Sequence, residues 1–390
     1  MGALSRQVSR KALAIGAPFN VQLDITYRCN ERCLHCYLDH DDRGEMTTRE
    51  IRDVLNQLAE AGAFSLTVSG GEILLRKDFF DILEHARSLL FAVRLKTNAI
   101  LIREEEARRI RSLGIQQVQV SVYSHRAEVH DGITKVRGSL NRSVRAIRLL
   151  KSHGLRVVIA NVLMRQNADD YPGVQAMGAE LGVDVTIDPT ITPRMNGDHS
   201  ITAMRIPGPA LKAIFHDETV VGNVEQFCAP PAAAGADELS RFPCSAGHTA
   251  CYISPYGDVY PCVQFPLPCG NLRRQRFLDI WRQSKALAEV RSIRVRDLPV
   301  CSGCSHAAGC TRCPGLAWQE GDMRGPSTAD CEKSCMRTGI PTAGMTAQTK
   351  RSQFFLPPEG GPAVTRLVQI AVSPTGYTAV SRDSCAMPGV

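Results

Sequence analysis

The sequence has no apolar run approaching the roughly 18 residues that a membrane-spanning helix needs, so no span is expected. It also lacks an export signal. The basic stretch 1–11 is followed by Ala12–Phe19, which is too short and too broken by Gly16 and Pro18 to be a signal core. Gly2 is present, but Arg6 stands where a myristoylation pattern wants Ser or Thr. Aromatic residues make up only 6%, and no arginine-rich run interleaves with them, which argues against a nucleic-acid partner. Charge of one sign is not dominant either. There are 46 Lys and Arg against 39 Asp and Glu, and the formal net charge of +7 is spread along the chain. That fits a solvated surface, or a channel for an acidic peptide or another anion. Repeats and low-complexity tracts are absent, and a reducing cytoplasm is the expected compartment.

Cysteine is what the chain has in excess, with 15 in 390 residues. Three lie near the N-terminus and most of the rest fall between Cys228 and Cys335. Clusters of this kind in a long chain point to metal sites before disulfides. The hydrophobic content of 44% and charged content of 22% are those of a globular protein, with length for one large domain and a smaller one.

The first half alternates strand-like and helix-like segments. Strands are expected at Val21–Thr26, Phe64–Ser69, Val93–Thr97, Gln117–Val122, Arg156–Leu163 and Val183–Asp188. Helices are expected at Thr47–Ala61, Lys77–Leu89, Glu104–Leu113, Ser139–His153 and Tyr171–Leu181. Thr47 or Thr48 can cap the first helix, with Glu50 in its first turn. Repeated βα units demand a parallel sheet with right-handed crossovers. Six strands instead of eight give an α/β fold built as an incomplete (β/α)6 barrel or curved open sheet, with its chemistry in the loops after the strand C-termini. After about Ile206, cysteine, Pro and Gly increase and long periodic helices stop. The expected division is an N-terminal extension over 1–20, a core domain over 21–215, a cysteine-rich domain over 216–336 and a tail over 337–390. The tail has one strand-like stretch, Ala363–Val372, and a composition that fits partial disorder.

Directly after the first expected strand comes Cys29-Asn-Glu-Arg-Cys33-Leu-His-Cys36-Tyr37, a C-x3-C-x2-C spacing. Three thiolates on one loop can wrap three corners of a [4Fe–4S] cluster and leave the fourth iron without a protein ligand. An electron carrier has no need of that vacancy, but a cluster that binds substrate does. A structural zinc would want a fourth ligand, and His35 is the only local candidate. The motif in this place resembles the signature of the radical S-adenosylmethionine (SAM) superfamily. The resemblance implies that Cys29, Cys33 and Cys36 hold a [4Fe–4S] cluster whose open iron chelates SAM. It further implies that reductive cleavage of SAM yields a 5′-deoxyadenosyl radical that takes hydrogen from a substrate. Ser69-Gly70-Gly71-Glu72 follows the second strand, like the family's Gly-Gly-Glu motif, and implies that Glu72 accepts the SAM amino group. Two glycines let the backbone come close to a ligand. Ile73 stands where the family often has Pro, which should alter loop stiffness more than chemistry. In similar enzymes, positions such as Thr97 and Asn98 after strand three and Ser121 after strand four touch the SAM ribose or carboxylate, and Arg165 after strand five would meet the carboxylate. Each of these also fits a hydrogen-bonded strand-end turn. The loop His130-Asp131-Gly132-Ile133-Thr134 is expected to be structural.

The second cysteine block runs Cys244-x6-Cys251-x10-Cys262, then Cys301-x2-Cys304-x5-Cys310-x2-Cys313, then Cys331. A zinc ribbon would separate its two knuckles by about 15 to 20 residues, and here five residues intervene. The block resembles the SPASM domain of radical SAM maturases, which carries two auxiliary [4Fe–4S] clusters. That resemblance implies one cluster on Cys244, Cys251, Cys262 and Cys313 and another on Cys301, Cys304, Cys310 and Cys331. One departure is that only Thr311 and Arg312 separate Cys310 from Cys313, where the family has three residues. Cys228, Cys269, Cys335 and Cys385 are left over as buried or solvent thiols, with Cys269 and Cys335 close enough in sequence to act as substitute ligands or substrate-contacting thiols.

SPASM-type enzymes modify peptides or proteins oxidatively. The resemblance therefore implies a cytoplasmic maturase that installs a crosslink, a dehydrogenation or a decarboxylation on a precursor peptide or protein. About 20 residues precede strand one, too few for a leader-binding domain, so a separate leader-peptide recognition protein is expected as a partner. A flavodoxin or ferredoxin is expected as electron donor. Two alternatives stand beside this: an enzyme acting on a small molecule such as a haem precursor, and a non-enzymatic iron–sulfur electron carrier or scaffold.

Overall fold

The computed structural model describes residue 7 and residues 11–40 and 43–345, so the expected strand at Ala363–Val372 and the rest of the tail lie outside the described residues. Alternation along the strands sets the sheet. In β3 (Ala92–Thr97) and β4 (Gln117–Ser121), Val93, Leu95, Val118 and Val120 are buried, and Lys96, Gln119 and Ser121 point to the other face. The buried face packs on helices with matching apolar stripes. In α1 (Thr48–Glu60) the stripe is Ile51, Val54, Leu55 and Leu58. The helix starts where the sequence placed its cap. Thr47 Oγ1 accepts from the Glu50 N–H, and Glu50 Oε2 accepts from the Thr47 N–H at 2.7 Å.

The other elements of the βα series are β1 (Asn20–Thr26), β2 (Ser65–Gly70), β5 (Val157–Val162) and β6 (Asp184–Asp188), with α2 (Phe79–Ser88), α3 (Glu104–Ser112), α4 (Ala127–Thr134), α5 (Ser139–Ser152) and α6 (Tyr171–Leu181) between them. All five pairings from β1 to β6 are parallel, which gives the expected partial barrel. α4 was not expected. It is only two turns long and carries Gly132, so its periodicity is too brief to read.

The sheet does not stop at β1. β7 (Ala250–Ile253) pairs parallel to β1 with Val21 opposite Cys251, and β8 (Asp258–Tyr260) and β9 (Gly270–Asn271) follow antiparallel, giving the order β6-β5-β4-β3-β2-β1-β7-β8-β9. The chain thus divides into two compact units that cut across the linear division. Of the described residues, those up to Pro207 together with Cys244–Ile293 form one, and Gly208–Pro243 together with those from Arg294 form the other. The second unit is built from short helices, among them Gly208–Phe215, Pro314–Gln319 and Thr328–Thr338. No helix among the described residues is long and apolar enough to cross a membrane.

Candidate active site

The loop after β1 brings Cys29, Cys33 and Cys36 to the wall of one cavity of about 490 Å³ in the first unit. The backbone holds the loop in place. The Arg32 and Leu34 N–H groups donate to the Thr134 and Ile133 carbonyls, both at 3.0 Å, so the C-terminal end of α4 carries the loop. α4 is itself fixed by Asp131, whose carboxylate accepts from the Gly138 and Leu140 N–H groups and the Ser139 hydroxyl. His130 Nδ1 accepts from the Tyr123 N–H at 3.1 Å, and burial holds the ring pKa down at about 4. The stretch 130–134 is therefore structural, and its structure serves the cysteine loop.

Burial pushes the Cys29 thiol up to about 12 and the Cys33 and Cys36 thiols up as well. Three thiols in a dry wall ionise only against a positive centre, and an iron–sulfur core supplies one. Among the described residues, no three His, Cys, Asp or Glu side chains surround a single point as a mononuclear ion requires. Cluster thiolates each take a separate iron and need no such convergence. His35, the local zinc candidate, lines the cavity edge-on to Tyr123, with its pKa lowered to about 4 by burial.

Gly70 and Gly71 are required by close approach. A Cβ on Gly70 would lie 2.1 Å from the Thr26 carbonyl oxygen, and one on Gly71 2.3 Å from that of Arg28. The Gly71 and Glu72 N–H groups donate to those same two oxygens at 2.8 and 2.9 Å. The turn after β2 is thus pressed against the start of the cysteine loop, and both glycines line the cavity. Glu72 departs from its expected place. Its carboxylate is fully buried, accepts from the Thr97 hydroxyl at 2.8 Å, the Asn98 N–H at 2.9 Å and the Leu74 N–H at 3.1 Å, and is not on the cavity wall. It orders the end of β3, and Thr97 and Asn98 then face the cavity. Asn98 Nδ2 donates to Asn30 Oδ1 at 2.7 Å, tying β3 to the cysteine loop. Ser121 lines the cavity too.

Arg165 does not. The chain leaving β5 turns away, the Arg165 N–H donates to the Met204 carbonyl, and its exposed guanidinium donates to the Ala203 carbonyl at 2.9 Å. Asn161, inside β5, reaches the wall instead. Sequence reasoning also passed over Lys96, Gln119, Tyr123, Thr186 and Asp188, all on the wall. Polar residues at alternate positions of β3, β4 and β6 were the available signal. Lys96 Nζ donates to Gln22 Oε1 at 3.1 Å, and Gln22 Nε2 donates to Asp24 Oδ1 at 3.1 Å. Burial raises Asp24 to about 6 even though Gln22 and Tyr252 donate to it.

In the second unit Cys301, Cys304, Cys310 and Cys331 border a single small cavity together with Arg241, His306 and Arg312. A Cβ on Gly344 would lie 2.3 Å from Cys331 Sγ, so the backbone closes tightly over that thiol. Cys304 Sγ accepts from the Ala343 N–H and Cys310 Sγ from the Ser334 hydroxyl. Burial pushes the Cys331 thiol up to about 12, with Cys310, Cys301 and Cys304 adding to it. The donor set of four thiols with cationic neighbours fits an iron–sulfur cluster. Cys244, Cys251 and Cys262 belong to the first unit, where Cys251 is buried on β7 with Cys262 and Cys269 near it. Cys313 belongs to the second unit, its N–H donating to Asp330 Oδ2 at 2.8 Å. The Cys228 thiol donates to the Phe215 carbonyl, and Cys335 is fully buried in helix Thr328–Thr338.

Residues 23–174 match the family model of the radical SAM superfamily, and residues 244–305 match that of the SPASM iron–sulfur cluster-binding domain. The mycofactocin maturase MftC of Mycolicibacterium smegmatis is 26% identical over 322 residues, spanning 78% of this chain and 80% of that protein. The AdoMet-dependent heme synthase of Oleidesulfovibrio alaskensis is 28% identical over 317 residues, spanning 74% and 81%. The PqqA peptide cyclase of Xanthomonas campestris pv. campestris is 29% identical over 386 residues, spanning 92% and 98%. The fold resembles that of Streptococcus suis SuiB bound to its precursor peptide SuiA, with a TM-score of 0.67 at 17% identity over 83% of this chain and 80% of that one.

Proposed function

This chain is a radical SAM enzyme with a SPASM iron–sulfur region, and we propose that it is a maturase that oxidatively modifies a precursor peptide. The single observation that carries the reading is the shared wall of one cavity. The three thiols of the cysteine loop, the Gly70–Gly71 turn and the strand ends Thr97, Asn98 and Ser121 all meet there. Cys29, Cys33 and Cys36 would hold a [4Fe–4S] cluster and the strand ends would hold SAM. The chemistry that the bound pair supplies is a 5′-deoxyadenosyl radical, made by one-electron reduction of the sulfonium, that removes a hydrogen atom from the substrate.

The chain's own residues bind, orient and exclude water. Glu72 fixes the Thr97 hydroxyl and the Asn98 backbone, so Asn98 is presented to the ligand already oriented. Tyr123 and His35 close the wall beside Cys33. Lys96, Gln119, Thr186 and Asp188 offer polar partners to a substrate on the strand faces. Cys301, Cys304, Cys310 and Cys331 would hold an auxiliary cluster, and Cys244, Cys251 and Cys262 are offered to a second. A peptide substrate is supported by the relative named as a peptide cyclase. A separate leader-recognition protein and a flavodoxin or ferredoxin donor, in the cytoplasm, complete the reading. The heme synthase relative supports a second reading, a small haem-precursor substrate.

The test is 5′-deoxyadenosine release from SAM by anaerobically reconstituted protein with dithionite, with and without candidate precursor peptides encoded beside its gene. Release that rises with one peptide, and a mass change in that peptide, support the maturase. Release that rises only with a porphyrin precursor supports the second reading. An iron-loaded protein silent under every condition would sink both.

A further inference from the structure

Two arginines in the second unit, Arg312 buried and Arg241 half-buried, each keep a buried donor without a partner. Arg312 is 6% exposed and spends Nε and Nη2 on the Gly325 and Met323 carbonyls, but its buried Nη1 has no hydrogen-bond partner. Arg241 spends Nη2 on the carbonyls of Ala307, Ala308 and Cys310, but its buried Nε has none. Both residues line the cavity bordered by Cys301, Cys304, Cys310 and Cys331. An unpaired buried donor costs about 1–3 kcal/mol, and more on a charged group, so two around one small cavity call for an acceptor inside it. The cavity's one carboxylate, Asp330, is committed to Lys333 at 2.7 Å and to the Cys313 N–H. Beside the Ser327 and Thr342 hydroxyls and the His306 ring, the acceptors that border it are the four sulfurs.

Resting on the reading of these four thiols as an auxiliary cluster site, we infer that Arg312 and Arg241 donate to the cluster's sulfurs and raise its reduction potential, so that it takes up an electron readily. Four thiolates about a dicationic [4Fe–4S] core leave two net negative charges, and the two guanidinium groups match them. One-electron reduction adds a further negative charge, which a nearby cation in a dry site stabilises. Hydrogen bonds to the sulfurs act in the same direction. The carbonyl clamps fix both side chains, so no reorganisation is needed when the electron arrives. His306 borders the same cavity, but it plays no part as a donor. Its Nε2 serves the Ile340 carbonyl, which leaves the neutral ring's Nδ1 a lone pair.

The experiment uses the full chain, reconstituted anaerobically, with Cys29, Cys33 and Cys36 changed to Ala so that only auxiliary clusters titrate. The signal of this cluster is the EPR component lost with Cys304→Ala. Mediator-poised titration should show Arg312→Met shifted to lower potential. At the wild-type midpoint the ratio of oxidised to reduced cluster should rise at least tenfold, a shift of about 59 mV for one electron. Arg241→Met should shift the same way, and Arg312→Lys, which keeps the charge, should shift less. Unchanged midpoints with iron content intact overturn the inference. If Cys304→Ala costs neither iron nor signal, the cluster assignment itself has failed. Should the methionine variants lose their iron, the wild-type arginines decide the matter. Pulsed EPR on protein carrying ¹⁵N-guanidinium arginine should show nitrogen coupling to the reduced cluster that Arg312→Gln diminishes. The absence of coupling overturns the inference.

Discussion

Around Cys29 and Cys33 the charged neighbours are the carboxylates of Glu72 and Glu31, whereas beside Cys301 it is the guanidinium of Arg312. Burial dominates the thiols in both places, but the second influence has opposite sign. Carboxylates add to the cost of negative charge at Cys29 and Cys33, and of the three thiols on the cysteine loop it is Cys36 that cations ease, Arg194 and Arg32 adding to the Leu38 N–H. In the second unit Arg312 lowers that cost at Cys301, while the Asp330 carboxylate adds to it at Cys310. A cluster in electronegative surroundings is hard to reduce and, once reduced, is a strong donor. A cluster among cations accepts. On the proposed assignment, the same ligand chemistry would divide into a giving site and a taking site by what lies behind the sulfurs.

The largest effect that sharpens this contrast comes from removing thiols at one site or the other. The Cys29→Ala, Cys33→Ala, Cys36→Ala variant should release no 5′-deoxyadenosine above the uncatalysed background. Cys304→Ala should still cleave SAM in the presence of dithionite and should lose formation of the oxidised product. Chromatography of the adenosyl product and mass spectrometry of the substrate read the two outcomes. Equal loss of SAM cleavage in both variants would break the division of labour.

Next in size is the pair Gly71→Ala and Gly344→Ala. Each places a Cβ at 2.3 Å from an atom, but Gly71 meets the Arg28 backbone carbonyl, whereas Gly344 meets the Cys331 thiol and, at 2.8 Å, the Pro326 ring. The Arg28 carbonyl is pinned by the Glu72 N–H at 2.9 Å and cannot give way without moving the cysteine loop, whereas a thiol turns about χ1. Gly71→Ala should therefore cost about 3 kcal/mol or more in urea unfolding. Gly344→Ala should cost less than half of that while reducing iron bound in the second unit. Equal unfolding costs would refute the reasoning.

What the sequence disclosed was what is local. The C-x3-C-x2-C spacing, the Thr47–Glu50 capping box and the alternation of β3 and β4 each live within a few residues, and each is where it was expected. What it hid depends on chain segments far apart. β7 joins β1 through pairing of Val21 with Cys251, which no local pattern announces. Glu72 lies next to the glycines in sequence, but its carboxylate is claimed by Thr97 and Asn98 from the neighbouring strand. Arg312 looked like spacer between two cysteines, and only the fold shows it clamped on the Gly325 carbonyl at the cavity the thiols border, with one buried donor left over.

A third effect separates the buried Asp24 in the first unit's sheet from its thiols by pH. Burial raises Asp24 from 3.8 to about 6. Its raised pKa means the folded state binds a proton that the unfolded state releases, so stability falls as pH rises from about 4 to about 6 and stays lower above that. The cost is about 3 kcal/mol at most by the shift in pKa. Asp24→Asn, neutral throughout, should gain stability over wild type at pH 8 and gain nothing at pH 4, since Asn can still pair with Gln22 and Tyr252. Unfolding at the two pH values checks this, and a constant difference between them would mean that Asp24 is charged in the fold at both.

The smallest effect tests where the SAM pocket ends. The resemblance to other radical SAM enzymes places a carboxylate-binding role at Arg165, one turn beyond β5, but the guanidinium there is exposed and donates to the Ala203 carbonyl. A surface arginine on a carbonyl contributes about 1 kcal/mol or less. Arg165→Ala should lower the unfolding midpoint only slightly and leave the KM for SAM within about twofold. Asn161→Ala, a change on the wall itself where Nδ2 donates to the Val122 carbonyl at 2.7 Å, should raise that KM more. The reverse order, a large KM effect at Arg165 and none at Asn161, would mean that the loop after β5 swings inward when SAM binds and that the wall extends further than Asn161.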